Sequence, residues 1–554
     1  MKIDNKVFID DPVFYYLITL TSCISQVCNI FNEQLPKNNS IFDKIPKRHT
    51  FPNTQDIREK IRGSKVKVNL LFIIFISLIT FKAYGQTSPL RNIFSSNKEH
   101  ELILLNNGIA AFEKRIQLIE SAKRSIDLET FIFDFDVTGT IILQKLIEKS
   151  LQGVRVRLLL DSFMISETLN DQVLTELTRY GITSKFYNRK SVLTYKGQFR
   201  NHRKSIIIDD EKAIIGGRNI SDAYFELDAN KNYLDREILI RGEIVSKIQE
   251  SFNNFWNSSL TSSPKHIFRP SFKDIKYQNI KKAKDFTTAK QFFQYDISIW
   301  DKEHLRIKNQ LDQKFPELET IRSIGEQILE ESPKFSCSKN TFISDFPGLG
   351  KEHLKNDRYV KYEIFKRITQ AQQKVVIDSP FFILDNETKP LIKNMLLNGV
   401  EVEIMTNGLH ASDPGYAVGP LYSQVKKYLD YGLNLFLISG ESPDSNVSYN
   451  LQTQSSRFVT HSKSIIFDSK SSMIGSFNFD PRSNNLSTEL AYFCDDNFDL
   501  ANEFMQNIQD RMDVSAQIDD KKQLKKLKFL NASFGQKILY YGLKFPSLML
   551  INFL

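Results

Sequence analysis

The stretch Asn201–Asp222, "NHRKSIIIDDEKAIIGGRNISD", has a near copy at Thr460–Pro481, "THSKSIIFDSKSSMIGSFNFDP". Each copy has a His, a Lys two residues on and an Asp five after the Lys: His202, Lys204 and Asp209, then His461, Lys463 and Asp468. After six intervening residues each enters a small-residue turn, Gly216-Gly217 or Gly475-Ser476, and reaches an Asn, Asn219 or Asn478. A lone His-x-Lys is a common surface pair. Two copies at matched spacing point to a duplicated site, and a repeat decides the fold.

In a continuous strand, residues two apart share a face about 6–7 Å from each other. That parity sets His461, Lys463, Ile465 and Phe467 on one side and Asp468 on the other, and it divides His202 and Lys204 from Asp209 likewise. The Asp then reads as an anchor of the lobe, not as a partner of the His. Glycine permits a tight turn and close approach of backbone to a ligand. His, Lys and Asn with no acid on their face make an anion site, and phosphate is the natural occupant. A metal site would call for a second His or a carboxylate where Lys stands, so no metal and no cofactor is expected. Two such lobes facing each other would set two imidazoles about one phosphorus. One attacks to form a phosphohistidine and the other protonates the leaving oxygen. Lys204, Lys463, Asn219 and Asn478 stabilise the non-bridging oxygens. A carboxylate behind each His would fix its tautomer; Asp235 in "NYLDREI" and Glu489 in "NNLSTEL" follow the two Asn at comparable places.

The repeat extends outward. "RIQLIESAKRSIDLETFIFD" from Arg115 is echoed by "KYEIFKRITQAQQKVVIDSPFFILD" from Lys361, each an amphipathic helix followed by a β-rich run. "LIEKSLQGVRVRLLLDS" from Leu146 is echoed by "LIKNMLLNGVEVEIMTN" from Leu391, with Gly153 and Gly399 as helix C-caps. Strands alternating with helices predict α/β lobes with mixed or mainly parallel sheets. The lobes span residues 95–260 and 356–515, related by a pseudo-two-fold axis. A Lys-, Asn- and Ser-rich connection covers 261–355.

The 554 residues carry a formal charge of +9, a mild excess suited to acidic surfaces such as phospholipid headgroups or nucleic acid. Cys23, Cys28, Cys337 and Cys494 have no CxxC pair or recurring spacing, which argues against a zinc site or a disulfide framework. After an extension of unknown role (1–66), the segment 67–86 contains the apolar run Val68–Phe81, which follows five basic residues. It is short for a span and suits a signal or anchor, with the body exported. The tail 516–554 is basic and then apolar; a helix at a bilayer interface and a helix packed on its own lobe are both open readings.

The doubled motif resembles the phospholipase D superfamily, whose signature is HxKxxxxD followed by GGxN or GSxN, present twice. "GGRNISDAYFELDANKNYLDREILIRG", "NGVEVEIMTNGLHASD" and "GSFNFDPRSNNLSTELA" are similar to the bacterial cardiolipin synthase branch, class C type. The resemblance implies two phospholipase D-like lobes and a phosphatidyltransferase making cardiolipin. Its substrates would be phosphatidylglycerol, with phosphatidylethanolamine as a candidate second lipid, met at a membrane surface with no nucleic acid partner. It implies His202 as nucleophile and His461 as general acid/base. Lys204, Lys463, Asn219 and Asn478 would be phosphate ligands, Asp209 and Asp468 structural, and Glu489 and Asp235 the downstream acids. It also implies a bacterial inner-membrane location with the lobes on the periplasmic side, or secretion after signal cleavage. A phospholipase D that hydrolyses phospholipid to phosphatidic acid is the alternative, and a nuclease of the superfamily the third reading. Phe131 and Phe381 stand where relatives carry Tyr, which bears on substrate detail.

Overall fold

The computed structural model describes residues 93–551 apart from 164–168, 272–288, 351–352, 354–356, 413–416, 443–452, 454 and 550. The extension 1–66, the apolar segment 67–86, Cys23 and Cys28 lie outside the described residues.

Two nine-stranded mixed sheets form the body. In the first, Ser125–Thr130, Arg155–Asp161 and Thr183–Tyr187 run parallel, joined by the helices Val137–Leu151 and Asp171–Arg179. Beyond them Ser205–Ile208, Lys212–Gly216, Glu237–Arg241 and His100–Leu105 pair antiparallel. The second sheet repeats this with Lys374–Asp378, Glu401–Asn407 and Asn434–Ile438 parallel, then Ser464–Phe467, Ser471–Gly475 and Leu490–Asp495 antiparallel. Both inner strands "SIII" and "SIIF" are apolar on both faces because both faces are covered. Ile206 and Ile208 face one outer core, Ile465 and Phe467 the other, while Ile207 and Ile466 share a central core. The helices Val245–Trp256 and Phe498–Asp513 fill that central layer with Phe252, Phe255 and Phe504.

The sheets exchange chain at their edges. Ile93–Ser96 stands at the start of the first lobe in the chain yet pairs with Lys339–Ser344 in the second sheet. Lys334–Cys337 completes the first sheet beside His100–Leu105. The short turn between Cys337 and Lys339 therefore passes from one sheet to the other. Cys337 is bonded to Cys494 on the second sheet, 157 residues away. A disulfide framework was not expected from cysteine spacing. The bond forms because the pairing partner lies across the lobe interface, where spacing along the chain carries no information.

Candidate active site

Each imidazole is delivered by a short parallel ribbon made of one strand from each lobe. Arg200–Asn201 pairs with Ser487–Thr488, Asn201 opposite Thr488, so that the next residues, His202 and Glu489, emerge side by side. Lys231–Leu234 pairs with Arg457–Thr460, Leu234 opposite Thr460, and Asp235 and His461 emerge next. The ladder continues through His202 N–H to the Thr488 carbonyl at 3.1 Å and His461 N–H to the Leu234 carbonyl at 2.8 Å. The acids are thus crossed. Glu489 of the second lobe lies 3.1 Å from Nδ1 of His202, and Asp235 of the first lobe lies 2.5 Å from Nδ1 of His461. Occupying Nδ1 in this way leaves Nε2 as the ring nitrogen turned away from the acid in both, and at His461 it is shared with Lys463.

The parity expected of a continuous strand begins only at Ser205 and Ser464. His202–Lys204 and His461–Lys463 are extended segments outside the sheet, because their backbones serve the ribbons and the turns. His461 and Lys463 nonetheless meet, with Nζ 2.8 Å from Nδ1 and 3.2 Å from Nε2. Lys204 Nζ donates to the His202 carbonyl at 2.5 Å.

Asp209 and Asp468 sit apart from this cluster. Each opens a hairpin turn with two successive left-handed residues, Asp209-Asp210 and Asp468-Ser469, a conformation that Asn and Asp tolerate better than most residues with a Cβ. Their carboxylates collect backbone N–H groups entering the first parallel strand: Lys123, Arg124 and Ser125 for Asp209, and Gln372, Gln373 and Lys374 for Asp468. Burial works to raise both carboxyls, but these donors hold them below the usual range.

Glycine at 217 serves a protein carboxylate, not a ligand. A Cβ there would lie 2.2 Å from Asp235 Oδ1. At the matching place Ser476 instead binds Glu489 through its hydroxyl at 2.5 Å, and its carbonyl lies 3.0 Å from His202 Nδ1. Ser483 Oγ donates to the other Glu489 oxygen at 2.8 Å. Asn219 accepts from Ile132 N–H through Oδ1, whereas Asn478 Oδ1 is buried without a hydrogen-bond partner.

Spacing did not single out the aromatic rings around the histidines. Tyr224 and Tyr233 stack at 4.4 Å and both meet His461 edge-on, while Phe131 meets His202 edge-on at 5.2 Å. Tyr224 and Tyr233 lie in the longer first-lobe segment between Asn219 and Asp235, which has no counterpart to compare with.

The four basic groups share one field. Burial lowers His202 well below its ordinary value, and Lys204 and Lys463 lower it further. Burial and Lys463 bring His461 to about 3 against the pull of Asp235, and Lys204 adds to the depression. Burial and mutual repulsion bring Lys204 to about 7, and burial brings Lys463 to about 8. The acids differ. Burial would raise Asp235, but Lys463 and His461 hold it well below the usual range; burial pushes Glu489 up to about 7. A cation-rich cleft that lowers its own protonation is stabilised by an entering anion.

Residues 115–256 and 364–513 match the family described as "Cardiolipin synthase, PLD-like domain". The chain belongs to the phospholipase D superfamily, in its cardiolipin synthase branch. It is similar to cardiolipin synthase C of Escherichia coli, 24% identical over 76% of this chain and 86% of that protein. It is similar to an uncharacterized protein of Helicobacter pylori strain J99, 29% identical over 73% of this chain and 78% of that protein. The crystal structure of phosphatidylserine synthase from Haemophilus influenzae covers 82% of this chain and 95% of its own, with a TM-score of 0.55 at 16% identity, a likeness of fold. The two matched ranges are the two lobes of this superfamily's duplicated fold.

Proposed function

We propose that the cleft is a phosphatidyltransferase site that makes cardiolipin, with His202 as nucleophile and His461 as general acid and base. The crossed dyads carry this reading: each imidazole is oriented by a carboxylate of the other lobe, and both lysines act on both rings. Nε2 of neutral His202 attacks phosphorus; the P–N bond forms as the P–O bond to the leaving alcohol breaks. His461 gives its proton to that oxygen. The hydroxyl of phosphatidylglycerol then returns a proton to His461 as its oxygen displaces Nε2. Ionised Asp235 suits His461 to hold this proton once a phosphate offsets the lysines, and the weaker, partly protonated Glu489 leaves His202 neutral. Lys204, Lys463, Asn219 and Asn478 would hold the non-bridging oxygens.

The relatives named for cardiolipin and phosphatidylserine synthesis support phospholipids as substrates. The Cys337–Cys494 bond supports an exported, periplasmic body, because disulfides persist in oxidising compartments. Among the described residues no helix is long and apolar enough to cross a membrane.

Lipid extraction from cells lacking other cardiolipin synthases tests the reading. New cardiolipin on expression, abolished by His202→Ala and by His461→Ala, is expected. Phosphatidic acid without cardiolipin would instead assign the site to hydrolysis.

A further inference from the structure

The helix Phe534–Met549 takes no part in the cleft chemistry. It opens on a capping box: Gln536 N–H donates to Ser533 Oγ, and Ser533 N–H donates to Gln536 Oε1. One face is fixed to the second lobe. Tyr540 is buried against Tyr422 and Phe529, and Ser547 sits over Gly419, where a Cβ would come within 2.9 Å of its hydroxyl.

The opposite face carries Phe534, Ile538, Tyr541, Phe545 and Met549, spaced by four, three, four and four residues. All are exposed, Phe534 by 79% and Phe545 by 72%. A surface helix ordinarily turns its polar face outward; here the outward stripe is apolar and the inward face is already occupied.

The charge around the stripe is one-sided. From Lys521 to Met549 the chain has seven lysines and no Asp or Glu. Lys521 pairs with Asp430. Lys528 is lowered by burial and then by Lys426, Lys544 and Lys525, so lysines from three helices, Val418–Leu429, Lys521–Leu527 and Phe534–Met549, crowd one place. The helix start is also tied to the cleft edge. Gln536 Nε2 donates to the Leu409 and His410 carbonyls, just beyond the strand Glu401–Asn407. Asn407 in turn binds both backbone groups of Thr460, the residue before His461.

We propose that the outward face of Phe534–Met549 docks on an anionic phospholipid bilayer, the lysines at the headgroups and the apolar stripe entering the interface. Sixteen residues span about 24 Å at 1.5 Å each, too short to cross, so the helix lies in the bilayer plane. This deepens the proposed function and rests on its reading of phospholipid as substrate.

The test uses the full chain with vesicles of phosphatidylcholine, with or without phosphatidylglycerol. An environment-sensitive fluorophore on Phe545→Cys, in a Cys23→Ser/Cys28→Ser background, is expected to shift to the blue only with phosphatidylglycerol, and to lose the shift at high salt. Phe534→Ser/Ile538→Ser/Tyr541→Ser and Lys525→Ala/Lys526→Ala/Lys528→Ala should each weaken that response about tenfold, with unchanged melting temperature. The stripe variant should keep turnover on soluble dioctanoyl phosphatidylglycerol while losing it on vesicles. No blue shift with any vesicle overturns the proposal. So does a stripe variant that turns a dimer into a monomer, because a second copy would then be the occupant. A blue shift with no turnover on either substrate supports the docking and overturns the catalytic reading alone.

Discussion

The two halves meet the same electrostatic need in different ways. Behind each His-Lys segment a buried carboxylate sits at or next to the end of the first parallel strand, Glu129 in one lobe and Asp378 in the other, opposite Ser205 and Ser464. In the first lobe the residue between His and Lys is Arg203, which binds Glu129 at 3.0 Å while Asn201 donates to its other oxygen. In the second lobe that residue is Ser462. The guanidinium comes instead from Arg511 on the helix Phe498–Asp513, 2.9 Å from Asp378 and 2.6 Å from Ser462 Oγ, with Arg236 of the first lobe 3.5 Å away. Thr460 takes the place of Asn201. A buried carboxylate requires a cation and hydrogen bonds, but nothing requires that the cation come from the motif. Duplication has kept the requirement and changed the supplier.

The acids behind the histidines differ as well, and this gives the largest test. Asp235→Asn should lower kcat about 10³-fold, since it removes the charge that stabilises an imidazolium and disturbs the tautomer. Glu489→Gln should cost only about tenfold, because a carboxyl raised to about 7 is already half protonated near neutrality. Single-turnover kinetics on both variants check the order; the reverse order would exchange the roles of the two histidines. Next in size, Arg203→Met leaves Glu129 with no guanidinium and should cost about 3–5 kcal/mol of stability in urea. Arg511→Met should cost visibly less, because Arg236 remains beside Asp378. Equal losses would show that the second lobe has no reserve cation.

Smaller again is the effect of the Cys337–Cys494 bond. Serine at both positions should lower stability by about 2–4 kcal/mol, and reductant should then change nothing further. An unchanged melting temperature would mean that the central core holds the sheets without the bond. The smallest effect is in pH dependence. In the proposed role the lysines hold phosphate only when charged, and their depressed values mean that charge is lost as pH rises through about 7 for Lys204 and about 8 for Lys463. kcat/KM should therefore begin to fall above about pH 7, the limb set first by Lys204. The limb in kcat should lie further to the alkaline side, because bound phosphate restores the ammonium. Lys204→Arg should move the kcat/KM limb upward, and coincident limbs in kcat and kcat/KM would contradict anion binding by these groups.

Much of this was legible along the chain. The doubled spacing, the alternation of helix and strand and the two motif Asp are local patterns, and local backbone preference writes them directly into sequence. Asp209 and Asp468 occupy turns whose geometry only a few residue types accept. What the chain could not disclose is every contact between lobes. That Glu489 serves His202 and Asp235 serves His461 follows from ribbons pairing residues more than two hundred positions apart. Cys337 finds Cys494, and Arg236 reaches Asp378, for the same reason. Sequence alone determined two copies of a phospholipase D-like lobe, because each copy is built from neighbours in the chain. Only tertiary structure decided that neither copy is complete by itself, because the groups that orient each imidazole come together across a central core shared by both.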